Sequence, residues 1–310
     1  KKKKKKKKPP PKKKKKKKCV APPPPPPPFW RIWSPPPLFP LAPGRATAAR
    51  VGGPVVLDGA EGRHAVTVRR IGVGERVLLT DGRGRVLEVE VTGTEPTVLT
   101  SRVLEARSEP EPRPRFVLVQ ALAKGGRDED AIEASTELGV DEVVPWQAAR
   151  SIVRWRGEKA TKALAKWESV VVAAAKQSRR ARVPVVSPAV TTAEVTARCR
   201  PGALVLVLHE DASERLSELR TDDLDRVDEI DLVVGPEGGI GPEELEALAA
   251  AGARPVRLGP TVLRASTAGP AALAVLASRV FDLVTAPAAR LGVEFLPSAP
   301  GVGRSEEAHV

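Results

Sequence analysis

Leu232-Val233-Val234-Gly235-Pro236-Glu237-Gly238-Gly239-Ile240-Gly241-Pro242-Glu243-Glu244-Leu245 reads as a buried strand, a glycine-rich turn and the start of a helix. Pro242 suits a first helical turn, where its missing N–H is not needed, and Glu243 and Glu244 complement the helix dipole there. The turn lacks the Gly-Lys-Ser/Thr ending of a phosphate-binding loop and the spacing of a dinucleotide fingerprint, so neither ATP nor NAD follows from it. What it offers is main-chain N–H and C=O groups with no side chains in the way, which suits an adenosine-bearing ligand.

Working outward, the same alternation recurs. Strands are predicted at Phe116–Leu122, Val140–Val144, Val183–Val186, Ala203–Leu208, Ile230–Val234 and Pro255–Leu258. Helices are predicted over Asp128–Leu138, with Gly139 past the end, then through Trp167 and Val172 to Gln177, from Thr192, over Pro242–Ala251 and over Thr267–Phe281. Such a βαβα order predicts an α/β fold with a mainly parallel sheet covered on both faces. Ligands of these sheets sit beyond the carboxyl ends of the strands, here the loops after Leu208, Val234 and Leu258. The last of these, Leu258-Gly259-Pro260-Thr261-Val262-Leu263-Arg264, is a second glycine-bearing loop ahead of an alanine-rich helix. Arg264 is its one charged side chain among small and apolar residues, which points to an anionic partner.

Before Glu109-Pro110-Glu111-Pro112-Arg113-Pro114 the period changes. From Pro54 to about Arg107 the pattern is short and β-like, with Val86–Val91 alternating and turn chemistry at Asp81-Gly82-Arg83-Gly84. The proline run resists both helix and central strand, so a domain boundary is expected there. The expected organisation is a low-complexity segment over residues 1–37, a small β domain over 38–112, an α/β domain over 113–286 and a flexible tail over 287–310.

The net charge of +13 looks like a nucleic-acid footprint, but fifteen lysines lie within Lys1–Lys18, and the rest of the chain carries a net −2. That segment uses lysine alone, whereas Leu38 onward holds 30 Arg against 5 Lys. Homopolymeric lysine followed by Pro22–Pro28, in a chain with no methionine, is expected to reflect a misplaced start and to stand outside the fold. Within the body, Trp146–Arg182 carries ten basic residues against Glu158 and Glu168, which reads either as a solvated helix face or as a phosphate-facing surface. Cys19 and Cys199 have no Cys or His partner at metal-ligand spacing, so no metal is expected. No apolar run reaches the length of a membrane span, and a cytoplasmic protein is expected.

The paired glycine loops resemble the RsmE family of 16S rRNA uridine-N3 methyltransferases, in the SPOUT superfamily. Lys124-Gly125-Gly126-Arg127, Glu137-Leu138-Gly139-Val140, Arg150-Ser151-Ile152-Val153-Arg154, Gln177-Ser178-Arg179-Arg180 and Arg63-His64-Ala65-Val66-Thr67-Val68-Arg69-Arg70 are similar to family blocks as well. The resemblance runs from about Val55 to Phe281. It implies a PUA-like RNA-binding β-barrel domain, then a methyltransferase domain with a C-terminal trefoil knot, a rare exception to unknotted connectivity. It further implies a homodimer acting on 16S rRNA of the small ribosomal subunit, with S-adenosyl-L-methionine as cofactor. A ribose or tRNA methyltransferase of the same superfamily and a non-catalytic ribosome-associated RNA-binding factor stay open as alternatives.

The resemblance places the cofactor against His209, Glu210, Gly235, Pro236, Glu237, Gly238, Leu258, Gly259, Val262, Leu263 and Thr267. Arg264 is the expected catalytic residue, stabilising negative charge on the uracil oxygens. RNA contacts are expected from Arg63, His64, Arg69, Arg70, Lys124, Arg127, Arg150, Arg154, Arg179 and Arg180. Two departures stand out: Ser266 occupies a position where many members are acidic, and Gly269-Pro270 is expected to stiffen the start of the last helix.

Overall fold

The computed structural model describes residues 36–280. The lysine- and proline-rich segment to residue 35, the end of the last predicted helix at Phe281 and the tail expected over 287–310 lie outside the described residues.

The first part is a five-stranded mixed sheet of order β1-β3-β4-β5-β2. Its strands are β1 (Leu38–Pro40), β2 (Pro54–Leu57), β3 (Arg76–Thr80), β4 (Arg85–Glu95) and β5 (Val98–Ser108). β1 runs parallel to β3 and the other pairs are antiparallel. Alternating side chains place Val77, Leu79, Leu87, Val89, Leu99 and Val103 in one core with Phe39 and Leu57. Fully burying each such side chain contributes about 1.5–3 kcal/mol. Pro37 takes part, its carbonyl accepting from Leu78 N at 2.9 Å.

The uniform β reading of 54–107 fails over residues 59–68, where α2 (Gly59–Arg63) runs into one π-helical turn, His64–Val68; a single turn, α1 (Arg45–Ala48), precedes β2. Packing overrides propensity here. A Cβ at Gly62 would lie 2.2 Å from the Thr97 carbonyl oxygen and 2.7 Å from that of Leu57, so only glycine lets this helix seat against the β4–β5 turn.

The second part is a six-stranded, wholly parallel sheet of order β11-β9-β10-β6-β7-β8. Its strands are β6 (Arg115–Ala121), β7 (Glu142–Trp146), β8 (Val185–Val186), β9 (Ala203–Leu208), β10 (Glu229–Val234) and β11 (Arg254–Val256). The helices are α3 (Arg127–Glu137), α4 (Glu158–Gln177), α5 (Thr192–Thr196), α6 (Thr221–Asp225), α7 (Pro242–Ala250) and α8 (Ala265–Val280). β6 shows why both faces are covered. Phe116 and Leu118 enter a core with Ile132, Trp167, Leu273 and Leu276, while Val117 and Val119 enter the opposite one with Ile240 and Leu248.

Several boundaries move for physical reasons. β8 is shorter than the predicted Val183–Val186 because Val183 N donates to Gly82 O in the turn between β3 and β4 at 2.9 Å, and Pro184 has no N–H to give a ladder. β11 ends at Val256 because Arg257 pairs instead with the loop after β9. Pro270 lies inside α8 rather than at its start, where it removes the donor to the Ser266 carbonyl. Gly269 beside it lets α8 lie on the sheet, since a Cβ there would sit 2.8 Å from Leu118 Cδ1.

Two features of this sheet set up the site. Val234 pairs level with both Leu208 and Gln120, and Val256 with Leu208, so β9, β10 and β11 end together, one residue before β6. The segment after β9 also folds across the C-terminal path: Leu216 N donates to Arg257 O and Arg257 N to Glu214 O, each at 2.9 Å, while the Arg279 guanidinium on α8 donates to the Leu216 and Leu219 carbonyls.

The other end of the sheet holds a charge cluster. Asp231, fully buried on β10, accepts from Arg198, which also faces Glu229 and Glu142. Arg115 and Arg200 complete it. Burial pushes the Asp231 carboxyl up from 3.8 to about 6 against the pull of Arg198.

Candidate functional site

Three loops leave the sheet at the same level. After β9, His209 N donates to Val256 O at 3.0 Å, and His209 Nδ1 accepts from Asp211 N at 3.2 Å. The imidazole thus holds a turn with Nδ1 as an acceptor, and Glu210 beside it is exposed.

After β10 the glycine turn closes through Gly239 N to Pro236 O at 2.9 Å. Gly239 has φ 72°, a left-handed conformation that glycine adopts without strain. A Cβ at Gly235 would lie 2.7 Å from Ile240 Cγ1, so the turn folds tightly back on its own buried isoleucine. Two side chains brace it from outside. Glu237 Oε1 accepts from Lys124 N and from Arg127 Nη1, both at 3.2 Å. Arg150 Nη1 donates to Gly238 O at 3.2 Å. Glu237 therefore acts as a brace for the turn.

The loop after β11 is the most open. Among the described residues, the main-chain N–H groups of Leu258, Gly259, Thr261, Val262 and Leu263 have no hydrogen-bond partner. Val262 is 76% exposed and Leu263 36%. Both observations fit an adenosine-bearing ligand, whose edge takes main-chain hydrogen bonds and whose face takes apolar cover. Arg264 follows. Its carbonyl accepts from Thr267 N at 2.8 Å and Ala268 N at 3.0 Å, so it opens α8, with Thr267 exposed and Ser266 half-buried. Its guanidinium is exposed and has no partner among the described residues. A cation at a helix N-terminus meets an unfavourable dipole, so an anion there would relieve it.

The expected RNA contacts divide. Arg63, Arg69, Arg70 and Arg179 are exposed. His64 is half-buried, edge-on to Phe39 with centroids 5.8 Å apart and with Nδ1 3.5 Å from Lys176 Nζ, which binds Glu61 at 2.8 Å. Lys124, Arg127 and Arg150 surround the glycine turn, and Arg154 donates to Ala149 O at 2.7 Å. Arg180 differs from its neighbour Arg179: its side chain is 15% exposed and donates to the Thr136 and Val140 carbonyls and to Asp141, tying the end of α3 to the segment before β7.

The basic stretch shrinks in the same way. Lys166, Lys176 and Arg182 bind Glu129, Glu61 and the Glu109 carbonyl. Arg156, just before α4, and Lys159 and Lys162 in its first turns stay exposed with no partner among the described residues, and they are the part of the basic stretch that keeps the phosphate-facing reading open. Lys159 and Lys162, three apart within the helix, share a face. Among the described residues no group of His, Cys, Asp or Glu could hold a metal, and no helix is long and apolar enough to cross a membrane.

This geometry has close counterparts. Residues 109–277 match the family described as RNA methyltransferase domain, and residues 57–102 match the RNA methyltransferase PUA domain. The chain is 48% identical over 240 residues to the ribosomal RNA small subunit methyltransferase E of Mycobacterium bovis, covering 75% of this chain and 90% of that one. It is 29% identical to the Bacillus subtilis enzyme of that name, covering 68% and 85%. Among solved structures, that of a ribosomal RNA small subunit methyltransferase E from Neisseria gonorrhoeae bound to S-adenosyl methionine aligns with TM-score 0.69 and 29% identity, over 78% of this chain and 97% of that one. A Legionella pneumophila methyltransferase with the same bound cofactor gives 0.66 and 26%, over 78% and 96%. A PUA-like sheet followed by the parallel SPOUT domain, joined to identity of this extent over both parts, means that the chain belongs to the ribosomal RNA small subunit methyltransferase E family.

Proposed function

We propose that this protein transfers a methyl group from S-adenosyl-L-methionine to N3 of a specific uridine in 16S rRNA of the small ribosomal subunit, as a cytoplasmic homodimer. The observation that carries the reading is the pair of level, glycine-bearing loops after β10 and β11, one braced and one with free main-chain groups, beside an unpartnered Arg264. Exposed Ile152, on the loop whose Arg150 holds the glycine turn, supports a second subunit against that loop.

When bound, S-adenosylmethionine supplies an electrophilic methyl on a sulfonium. The Gly235–Gly238 turn and the 258–263 main chain hold the adenosine part, with His209 and Glu210 at the rim. The chain's remaining task is alignment and exposure of the nitrogen. Uracil N3 carries a proton at neutral pH, and each unit of mismatch in its acidity costs about 1.4 kcal/mol. Arg264 offsets this by placing a fixed positive charge where the uracil oxygens become negative as the N3 proton is lost to solvent; the N3–CH3 bond then forms as the S–CH3 bond breaks and S-adenosylhomocysteine leaves. Arg63, Arg69 and Arg70 on the PUA-like part and Lys159 and Lys162 on α4 bind phosphates.

Incubation of the protein with methyl-labelled cofactor and small ribosomal subunits tests the reading. Label is expected in 16S rRNA, and unlabelled rRNA beside an active control enzyme contradicts it.

A further inference from the structure

A buried carboxylate follows the glycine turn and gathers three donors from separate parts of the chain. Glu244, in the first turn of α7, is 7% exposed. Its Oε1 accepts from Ala149 N at 2.8 Å and from Thr192 Oγ1 at 2.6 Å, and its Oε2 from Gly241 N at 3.3 Å. The Gly241 bond is an ordinary helix cap, satisfying an orphan N–H of the first turn. The other two reach beyond the helix, to the loop after β7 and to the head of α5.

Ala149 is the residue before Arg150, whose side chain lies along the glycine turn. Besides the bond to Gly238 O, a Cβ at Gly238 would meet Arg150 Cβ at 3.3 Å. The loop that carries Arg150 is closed on itself by Arg154 Nη2 to Ala149 O at 2.7 Å and by Trp155 N to Gln147 Oε1 at 3.1 Å. It is therefore tied to itself, and its attachment to the turn runs through Arg150 on one side and Glu244 on the other. Such a buried carboxylate is stable only while its donors converge, so it enforces one arrangement of loop and turn.

We propose that Glu244 is a positioning residue for methyl transfer: it locks the 147–155 loop against the glycine turn and so preforms the Gly235–Gly238 wall of the cofactor site. This rests on the reading of that turn as the S-adenosylmethionine site.

Two variants of the full chain test it by calorimetric titration with S-adenosylmethionine, steady-state kinetics and thermal unfolding. Glu244→Gln keeps the shape but turns one acceptor into a donor facing Ala149 N or Gly241 N. Glu244→Asp keeps the charge and loses the reach. Each is expected to weaken cofactor binding about tenfold, or about 1.4 kcal/mol, raising KM for the cofactor while kcat at saturation stays within about threefold. Combining Glu244→Gln with Arg150→Ala is expected to cost less than the product of the single losses, because both act on one attachment of loop to turn. A lower unfolding temperature with unchanged cofactor affinity in either variant reduces Glu244 to a helix cap and overturns the proposal, as does a fully multiplicative double variant. If the unaltered protein binds no S-adenosylmethionine, the functional reading itself fails, which is a different result from variants that bind as well as it does.

Discussion

The Arg127 guanidinium donates to Glu237 Oε1 at 3.2 Å across 110 residues of sequence, and through it the turn after β10 is fastened to the turn after β6. The Glu237 side chain is 19% exposed and Arg127 37%, so the pair is only partly shielded from water. Exposed pairs of this kind contribute about 0.2–1 kcal/mol. Glu237→Ala is accordingly expected to raise KM for S-adenosylmethionine about two- to fivefold with kcat nearly unchanged, an effect of under about 1 kcal/mol. Steady-state titration of the cofactor checks it; loss of kcat with unchanged KM would give Glu237 a chemical role instead.

Arg264 should behave in the opposite way. Its guanidinium has no partner among the described residues, so Arg264→Ala removes no internal bond and is expected to leave unfolding temperature and cofactor affinity near those of the unaltered protein. Turnover is expected to fall by about 10²–10³, the usual cost of losing one preorganised charge-stabilising group. Calorimetry and single-turnover rates on the same preparation separate the two, and retained turnover removes Arg264 from the mechanism.

The cations of α4 and its neighbourhood make a second contrast. Lys159→Ala with Lys162→Ala is expected to weaken RNA binding and to flatten the dependence of log K on log salt by about 0.7–0.9 for each phosphate no longer neutralised. Arg180→Ala is expected to leave that slope unchanged and to lower the unfolding temperature, because Arg180 holds the Thr136 and Val140 carbonyls and Asp141. Filter binding across a salt series reads the first effect, and calorimetric melting the second.

Asp231 gives a pH dependence with a definite sign. Burial raises its folded-state value to about 6 from 3.8, so the folded protein binds this proton more tightly than the unfolded chain. The resulting stabilisation is fully present below about 3.8 and is lost as pH rises through about 6. Relative to Asp231→Asn, the unaltered protein is therefore expected to gain on the order of 2 kcal/mol between pH 7 and pH 4. Denaturant unfolding of both proteins across that range measures the difference, and a constant offset would show that Asp231 does not titrate there.

Much of the α/β part was legible because its strands are apolar on both faces and its glycines punctuate strands and helices alike, as at Val234-Gly235 and Leu138-Gly139. The helical stretch at 59–68 was not, since what allows it is the gap that Gly62 leaves against Thr97 O, an approach with no local signature. Arg180 and Arg179 are indistinguishable by charge, and only tertiary placement turns one inward to carbonyls and leaves the other in water. Glu244 was readable as a favourable charge at a helix start, but its bonds to Ala149 and Thr192 depend on which loops the sheet brings together. Overall basicity misled for a simpler reason: it comes from the lysines before residue 19.

The central claim is settled most directly by digesting the labelled 16S rRNA to nucleosides and identifying the methylated product by chromatography and mass spectrometry. Label confined to N3-methyluridine, together with a block to primer extension at one position, is the predicted result, because that methyl removes the pairing N–H. Label in a 2′-O-methyl nucleoside, which leaves pairing intact, would contradict it.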